Sequence, residues 1–573
     1  MVAPVQAGAA GVSLPVASAA SGSRVTVVVT PLTQPVPYDA STVGDATVDQ
    51  QNTDKRAAKT QSVHGRVAAI GHVQQDLPAV NGVVADVTPD QLAVLNAQPD
   101  LVVTPDVSVP VADAAFPTAT RAPAAVFPQT TGATQLWANG INGKGVAVAV
   151  LDTGIDGLPD FGKRLIGGVD LSGEGNPFQD SYGHGTFVAG LIAGNGASSN
   201  GAYMGEAPGA NLVSVKVAGA TGVTDLATVI AGINWVVAHR AQYGIGVLNI
   251  SLGAVPISST VLNPLDQAVE TAWQSGITVV AAAGNAGPSN GTILSPGDDP
   301  LVVTVGALDD NGSTVPASAT ATTFSSVGPT GIDGWFKPDL TTSGRSVVSL
   351  RAPGSTIDTT FPSAEIGSSN FVGSGTSFSS AVTSGAAALV IQSGRGNAQK
   401  GQGQPSGNSN NGSLTPDQVK AQLLGTTLPG PVGNPMVDGH GALNVYAAVT
   451  QPGLQLTQTV PTVATNIGDT VNLSTTWLTS SWNGSRWSGS TWTGSRWDAS
   501  TWTGSLWDTS SWNGSTWNGS SWDGSSWSGS RWSGSLWDGS RWSGANWDGS
   551  SWSGSRWSGS QWDGSRWSGS SWR

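Results

Sequence analysis

The chain has 573 residues, of which 11% are charged, and its formal net charge is −13 at pH 7. This length predicts two to four domains and leaves room for a large core. The lack of cysteine excludes a disulfide framework and a thiolate metal site. An acidic chain without a basic stripe argues against nucleic acid as a partner, and no apolar run is long enough for a membrane span.

Residues 1–23 contain no charged residue and end in small residues that are typical of the end of a secretory signal. The basic start and the firm apolar centre of such a signal are missing. Two interpretations stay open for this segment, a signal remnant and a disordered leader.

Residues 24–109 have the pattern of a small α+β domain. Runs of β-branched residues predict four strands, at residues 24–30, 65–70, 82–87 and 101–104. Thr88, Pro89 and Gln91 form a capping box with proline at the first helical position, which predicts a helix start there. Residues 110–128 hold four prolines among Ala and Thr, which is typical of an exposed linker and marks the processing region.

Residues 129–450 alternate between apolar strands and helices. We expect strands at 145–152, 210–217, 246–251, 276–283 and 301–306, and helices at 186–193, 224–241 and 264–274. Strands that are apolar on both faces predict a parallel sheet covered by helices on each side. A second capping box, at Thr415 and Gln418, predicts a further helix near the end of this domain.

A spacer at 451–475 leads into a repeat at 476–573, where Trp recurs at every fifth position from Trp477 to Trp572. A period of five does not suit a flat strand but suits a β-solenoid with about five residues per side, and it resembles pentapeptide-repeat helices. A flexible Gly/Ser chain is the alternative. Exposed Trp would stack on sugars, which predicts cell wall or polysaccharide as a partner of this tail.

Three short motifs carry candidate chemistry. Asp152 ends an apolar strand in Asp-Thr-Gly, His184 begins a helix in His-Gly-Thr, and Ser377 begins a buried helix in Gly-Thr-Ser. The carboxyl ends of parallel strands and the helix starts that follow them face one crevice, so these side chains can meet. A neutral imidazole activates a serine hydroxyl, and a carboxylate fixes the imidazole tautomer. Each residue alone is better explained as a turn former or a helix cap.

The joint order of these motifs resembles the subtilisin family (peptidase S8 type) over residues 129–450. Further matching segments are Asn249-Ile-Ser-Leu-Gly253, Ala283-Gly-Asn285, Phe324-Ser-Ser-Val-Gly-Pro329 and Lys337-Pro-Asp339. The resemblance implies a subtilisin-like parallel sheet and serine endopeptidase (hydrolase) activity on polypeptide substrates. It also implies that Asn285 donates to an oxyanion beside the backbone N–H of Ser377. Ala381 stands where the family usually has Pro, and we expect a small effect.

The resemblance extends to the front domain, which is similar to the inhibitory propeptide of this family, a four-stranded antiparallel sheet with two helices. It implies that the chain is a zymogen whose own propeptide acts as an intramolecular inhibitor. Location outside the cell, secreted or on the cell surface, is the matching expectation. The alternative is a surface attachment or structural protein that uses the protease fold as a scaffold.

The family binds peptide as an extended strand between two segments. The matching segments here are Ser251, Leu252 and Gly253 on one side and Ala281, Ala282, Ala283 and Gly284 on the other. Backbone pairing reads no side chain, so we expect broad specificity, with a preference for apolar or bulky residues. Catalysis needs no cofactor. The family often binds structural calcium, for which Asp156 and Asp180 are candidates, but their spacing matches no known cage and no metal ligand is assigned.

Overall fold

The computed structural model describes residues 24–32, 39, 42–111, 115–116, 125–399 and 414–451, with the backbone alone for 12–13, 396–399 and a series of strands between 481 and 568. The chain divides into two compact units. One lies within residues 11–458, and the other contains the strands that follow residue 459.

The front of the first unit is a five-stranded sheet in the order β1-β5-β2-β4-β3, with two helices. Its elements are β1 (Val12–Ser13), β2 (Val25–Pro31), α1 (Ala46–Ala68), β3 (His72–Leu77), β4 (Gly82–Val87), α2 (Pro89–Asn96), β5 (Leu101–Pro105) and β6 (Ser108–Pro110). Strands β2 to β5 pair antiparallel. Alternate residues of β2 and β4 form the core with Val63 and Val67 of α1 and Leu95 of α2, so both helices pack on one sheet face.

The capping box predicted at Thr88 is present, since the Thr88 hydroxyl accepts from the Gln91 N–H and the Gln91 side chain accepts from the Thr88 N–H. The strand predicted at 65–70 is wrong, because these residues end helix α1. Buried residues recur at helical spacing along α1 (Arg56, Thr60, Val63 and Val67), and this long period outweighs a short β-branched cluster. The sheet position expected for residues 65–70 is taken by the next segment of the chain, strand β3, which pairs with β4.

The remainder of the first unit is built on a larger sheet. Its elements in chain order are α3 (Phe127–Thr130), α4 (Ala133–Trp137), β7 (Ala147–Asp152), β8 (Leu165–Asp170), α5 (His184–Ala193), β9 (Asn211–Lys216), β10 (Val223–Asp225), α6 (Leu226–Tyr243), β11 (Ile245–Ile250), α7 (Pro264–Gln274), β12 (Thr278–Ala282), β13 (Val303–Asp309), β14 (Thr320–Ala321), β15 (Leu340–Ser343), β16 (Val347–Leu350), α8 (Thr356–Thr360), β17 (Glu365–Ile366), β18 (Asn370–Gly373), α9 (Thr376–Gln399), α10 (Pro416–Gly425), α11 (Pro435–Asp438) and α12 (Val445–Thr450).

The sheet runs β13-β12-β11-β7-β9-β8, with β15 on the far side of β13, and all of these neighbours pair parallel. Helices α5 and α9 pack together against one face, and α6 and α7 pack together against the other. The central part of α9 is fully buried, as its uninterrupted apolar sequence predicts. The predicted α/β class, with a parallel sheet between helices, is confirmed. Among the described residues, no helix is long and apolar enough to cross a membrane.

The sheet topology brings four element ends to one edge. Strand β7 ends at Asp152, and helix α5 begins at His184. Helix α9 begins one residue before Ser377, and strand β11 ends one residue before Ser251. Because the strands are parallel, their carboxyl ends and the helix starts that follow them lie on the same side of the sheet.

The second unit consists of parallel strands at the backbone level. Its strands are β19 (Ser481–Asn483), β20 (Arg486–Trp492), β21 (Arg496–Asp498), β22 (Thr501–Asn513), β23 (Thr516–Asn518), β24 (Ser521–Gly529), β25 (Arg531–Gly534), β26 (Leu536–Asp538), β27 (Arg541–Gly544), β28 (Asn546–Gly549), β29 (Trp552–Gly554), β30 (Trp557–Ser558), β31 (Trp562–Gly564) and β32 (Trp567–Ser568). In the described strand pairs, Trp pairs with the Trp twenty residues later, as Trp482 does with Trp502 and Trp502 with Trp522. This register corresponds to a repeat of four pentads.

Candidate active site

A buried carboxylate and imidazole form the centre of the site. His184 Nδ1 lies 2.8 and 3.0 Å from the two carboxylate oxygens of Asp152. Both side chains are 1% exposed. The backbone N–H of Thr153 also donates to the Asp152 carboxylate, over 2.8 Å. Because the carboxylate accepts at Nδ1, the proton of neutral His184 resides there and Nε2 carries the lone pair.

Asp180 holds the residues next to Asp152 and His184 through hydrogen bonds. Its carboxylate accepts from the backbone N–H groups of Gly183 and Thr186, both at 2.7 Å, and so caps the helix that begins at His184. It also accepts from the Thr153 hydroxyl at 2.7 Å, which ties the helix start to the residue after Asp152. Burial raises the pKa of Asp180, and these donors oppose that effect.

By its sequence context Asp180 is only a candidate calcium ligand, whereas the structure gives it a capping role. An Asp shortly before an apolar helix is a helix-start signal that could have been recognised. Asp156 belongs to the same network, because its carboxylate accepts from the Asp180 N–H at 2.7 Å. In the part of the chain that the structure describes, no three acidic or histidine side chains are grouped to hold a metal ion.

Ser377 lies in the first turn of α9 and is fully buried. Its hydroxyl donates to the backbone carbonyl of Ser251 over 3.1 Å. His184 Nε2 is also buried and has no hydrogen-bond partner among the described residues. The structure thus joins Asp152 to His184 and holds the Ser377 hydroxyl on Ser251.

The side chain of Ser251 fixes the start of α9 to the end of β11. Its hydroxyl accepts from the Asn249 amide at 2.8 Å and donates to the Ser377 carbonyl at 3.0 Å. It also lies 2.9 Å from the hydroxyl of Ser380. Ser384 donates to the other end of the Asn249 amide at 2.9 Å. These contacts set the position of Ser377, and the sequence analysis did not identify Ser380 or Ser384.

Asn285 faces the same helix start. Its side-chain oxygen accepts from the backbone N–H of Thr376 at 2.9 Å and from the Thr376 hydroxyl at 3.0 Å. These two hydrogen bonds fix the Asn285 amide beside the start of α9, next to Ser377. Gly284 adopts a φ of +106°, and a Cβ there would come within 2.8 Å of the Ser326 hydroxyl, so only glycine fits before Asn285.

A segment of the same chain lies across this site. β6 pairs antiparallel with β10, with Val109 opposite Thr224. The Val111 N–H donates to the Gly222 carbonyl at 2.9 Å. On the other edge of the segment, the Gly253 N–H donates to the Pro110 carbonyl at 3.3 Å, and Val111 bridges to Leu252.

The two flanks of this extended segment differ in part from the expected pair. One includes Leu252 and Gly253, which are also expected to bind substrate. The other is residues 222–225, which the sequence analysis did not name. Among the described residues, the chain's own segment is not seen to pair with 281–284, of which Ala281 and Ala282 belong to buried strand β12. Ala283 likewise pairs with β13, through its N–H to the Val305 carbonyl at 3.0 Å. That residues 281–284 bind a substrate stays a prediction. Neither a motif nor a period marks residues 222–225 in the sequence.

The chain pairs with the peptidase again at Ala115. The N–H of Ala115 donates to the Ser374 carbonyl at 2.8 Å, and the N–H of Ser374 donates to the Ala115 carbonyl at 2.7 Å. Ser374 precedes Ser377 by three residues. The described parts of the segment therefore pair with the peptidase at two places, residues 108–111 and Ala115.

Comparisons with known proteins identify the family. A family model described as the subtilase family matches residues 143–453. Serine protease AprX of Bacillus subtilis is 39% identical over 314 residues, which cover 54% of this chain and 67% of that protein. Subtilisin E of the same species is 33% identical over 317 residues, which cover 55% of this chain and 68% of that protein.

A solved structure supports the fold. The crystal structure of fervidolysin from Fervidobacterium pennivorans, described as a keratinolytic enzyme related to subtilisin, superposes with a TM-score of 0.55 at 21% identity. The match covers 79% of this chain and 64% of that one. The chain thus belongs to the subtilase family and is a subtilisin-like serine endopeptidase.

Proposed function

We propose that this endopeptidase cleaves peptide bonds through Asp152, His184 and Ser377, with Asn285 in the oxyanion hole, and that it is made as a self-inhibited precursor. The buried contact of 2.8 Å between Asp152 and His184 carries the proposal. A carboxylate held on Nδ1 prepares Nε2 to accept a proton. The Nε2 atom and the Ser377 hydroxyl belong to two helix starts at one edge of the sheet.

The reaction begins when the Ser377 hydroxyl leaves the Ser251 carbonyl and turns to His184 Nε2. Its oxygen attacks the carbonyl carbon of the substrate while its proton passes to Nε2, and Asp152 stabilises the resulting imidazolium. The Asn285 amide and the Ser377 N–H donate to the oxyanion. His184 then gives the proton to the leaving amine, and a water molecule repeats the sequence on the acyl-enzyme.

Substrates bind in the manner of the chain's own segment 108–111, as a strand between residues 222–225 and 251–253. Main-chain hydrogen bonds provide affinity without reading side chains, so specificity on this side of the cut bond is broad. The small residues Gly253 and Ala281–Ala283 favour an open primary pocket for apolar or bulky residues. A peptide library tests this expectation, and strict cleavage after Arg or Lys would overturn it.

The front domain is proposed to inhibit the peptidase until it is released. Residues 108–111 and 115 occupy both sides of the site, so the bond that is cut lies between Val111 and Ala115. The front domain also docks on α6 and α7 through side chains. Asp49 pairs with Arg240 at 2.7 Å, and the Thr271 hydroxyl donates to the Ala79 carbonyl at 2.7 Å. These contacts survive the cut and keep the site closed.

Labelling of the full chain with an organophosphate serine reagent tests the proposal. We expect one label per chain, on Ser377, after the front domain has been cut, and a new N-terminus within residues 112–115. The variant Ser377→Ala should remain uncut and unlabelled. If purified S377A is cut at the same place, the cut is not made by this site. If the wild-type chain is never labelled, the result supports the alternative in which the protease fold is only a scaffold.

Location outside the cell is part of the proposal. A protease of broad specificity endangers the cell that makes it, and a precursor closed by its own segment restricts activity to the time after release. Fractionation of the producing cells tests this proposal. Recovery of the cut form from the cell interior alone would contradict it.

Attachment through the tail is a second candidate function. The register of the second unit aligns Trp with Trp in successive coils, at the strand spacing of about 4.8 Å. Columns of aromatic residues suit the flat faces of sugar rings in an insoluble polysaccharide. The full chain should sediment with cell-wall polysaccharide, whereas a chain ending at Gln458 should stay in solution with its peptidase activity unchanged. Equal sedimentation of both would reject the attachment role.

A further inference from the structure

Phe116 occupies an aromatic pocket on the far side of the candidate nucleophile. Its side chain is buried, at 8% exposure, next to the pairing of Ala115 with Ser374. Four phenylalanine rings surround it, with ring centroids at 5.5 Å for Phe361, 5.8 Å for Phe371, 6.1 Å for Phe187 and 6.2 Å for Phe378. We refer to these four residues as the phenylalanine pocket.

The pocket is continuous with the catalytic residues. Phe187 lies one turn after His184 on α5, and Phe378 follows Ser377 directly on α9. The Phe378 ring stacks on the His184 ring at 5.6 Å and contacts the Phe187 ring at 4.3 Å. An aromatic side chain in this pocket is therefore placed by the same two helix starts that place the imidazole and the hydroxyl.

The backbone also leaves room for the rings. At Gly373, a Cβ would come within 2.7 Å of the Phe378 ring and 3.1 Å of the Phe187 ring. Any other residue at position 373 would displace these two walls of the pocket. The glycine in strand β18 thus keeps the pocket open at the place where the segment after the cut bond pairs with Ser374.

The walls and the occupant belong to different parts of the chain. All four wall residues lie in the peptidase, whereas Phe116 lies in the linker on the leaving-group side of the bond that we propose is cut. Phe361 remains 38% exposed even beside Phe116, so it forms the rim. When the new N-terminus leaves, an apolar pocket is exposed beside the nucleophile, and a substrate side chain of the same kind fits it.

We propose that the phenylalanine pocket is a specificity subsite that selects an aromatic residue on the leaving-group side of polypeptide substrates. The selected residue is the second to the fifth after the cut bond, because the cut lies between Val111 and Ala115 and the occupant is Phe116. Aromatic rings in edge-to-face contact gain more than their buried area alone provides, so Phe is favoured over aliphatic residues. This inference rests on the proposed proteolytic function.

Kinetics on a matched peptide series test the inference. Each peptide carries the sequence of Ser108–Val111 on the acyl side and a single Phe at the second, third, fourth or fifth position after the cut, with Ala elsewhere. A peptide with Ala at all four positions is the reference, and mass spectrometry locates the cut. With the self-processed full chain, we expect kcat/KM to be at least about tenfold higher for Phe at one position than for the reference.

Variants separate the pocket from general effects. Phe361→Ala should reduce the advantage of Phe, taken as the ratio of kcat/KM for the best Phe peptide to that for the all-Ala peptide, to about threefold or less. Phe361→Leu should retain part of it. Tyr446→Ala is the matched control, because Tyr446 has the same 38% exposure but lies on α12. It should keep the full advantage.

Two contrary results are distinguishable. Equal cleavage of the all-Ala peptide and of every Phe peptide would overturn the subsite but leave the proteolytic function in place. Loss of the Phe advantage in Tyr446→Ala as well as in Phe361→Ala would also overturn it, because the effect would not be local. If no peptide is cleaved at all, the proposed function fails, and the subsite fails with it.

Discussion

The two sides of the candidate cleft hold the chain by different means. On the acyl side, residues 109–111 are paired along both edges through backbone groups, with residues 222–225 and 251–253. On the leaving-group side, one backbone pairing at Ala115 is followed by a single side chain in the phenylalanine pocket. Backbone pairing accepts almost any sequence, whereas an aromatic pocket does not. Selectivity is therefore to be sought after the cut bond.

The largest effect on catalysis is expected for Asn285, at the bond between the two sides. Asn285→Ala should lower kcat about 10²–10³-fold, because it removes an oxyanion donor, a magnitude measured on subtilisin, a member of this family. Its side-chain oxygen is anchored on Thr376. The preferences on both sides of the cut should be retained in the residual activity. A loss of self-cleavage with unchanged hydrolysis of peptides would contradict this role.

A change on the acyl side should give the next largest effect. Val111→Pro removes the N–H that donates to the Gly222 carbonyl, since proline has no amide hydrogen. We expect self-cleavage to slow about tenfold or more. The rate is measured from the appearance of the cut chain on a gel.

Val111→Ala is the matched control for this change. It keeps the N–H and removes only the side chain, so self-cleavage should proceed at close to the wild-type rate. If Val111→Ala slows the cut as much as Val111→Pro does, the acyl side reads side chains after all, and the contrast between the two sides fails.

The smallest effect concerns how firmly the acyl side is held at different pH values. Asp106 accepts from the Ala227 N–H at the start of α6, at 2.9 Å. Burial raises the pKa of Asp106 to about 6 from its usual 3.8, and this desolvation outweighs the N–H donors of Leu226 and Ala227. When the front domain separates, the carboxyl is exposed and its pKa falls back. The docked state therefore binds the proton more tightly.

The sign follows from this difference. The contribution of Asp106 to docking is fully present below about pH 4 and is lost as the pH rises through 6. We expect the front domain to be released a few times faster at pH 8 than at pH 5 on this account. Asp106→Asn should flatten the dependence, measured as the rate at which peptidase activity appears.

Asp100→Asn is the control for the pH effect. The hydrogen bond from Arg66 lowers the pKa of Asp100, but both residues lie within the front domain and keep their contact when it separates. This variant should leave the pH dependence of release as it is in the wild type. An equal flattening by both variants would mean that the front domain itself is losing stability.

Local rules were enough for much of this molecule. The capping boxes at Thr88 and Thr415 form as predicted, because every hydrogen bond in them joins residues three positions apart. The buried strands and helices of the peptidase follow from their apolar periods. The strand expected at 65–70 is not formed, because these residues continue helix α1 to its end. The helical spacing of buried residues along the whole of α1 outweighs the local β-branched cluster.

The sequence by itself determined the family, the candidate residues Asp152, His184 and Ser377, and the class of the fold, since short motifs and apolar periods encode them. Only the tertiary structure decided which segments flank the chain's own peptide, that Asp180 caps the helix of His184, and that four phenylalanines enclose Phe116. These contacts join residues that are distant in sequence and carry no shared local pattern. Their partners are set by where the parallel sheet places the ends of its strands, and that placement depends on the packing of the whole domain.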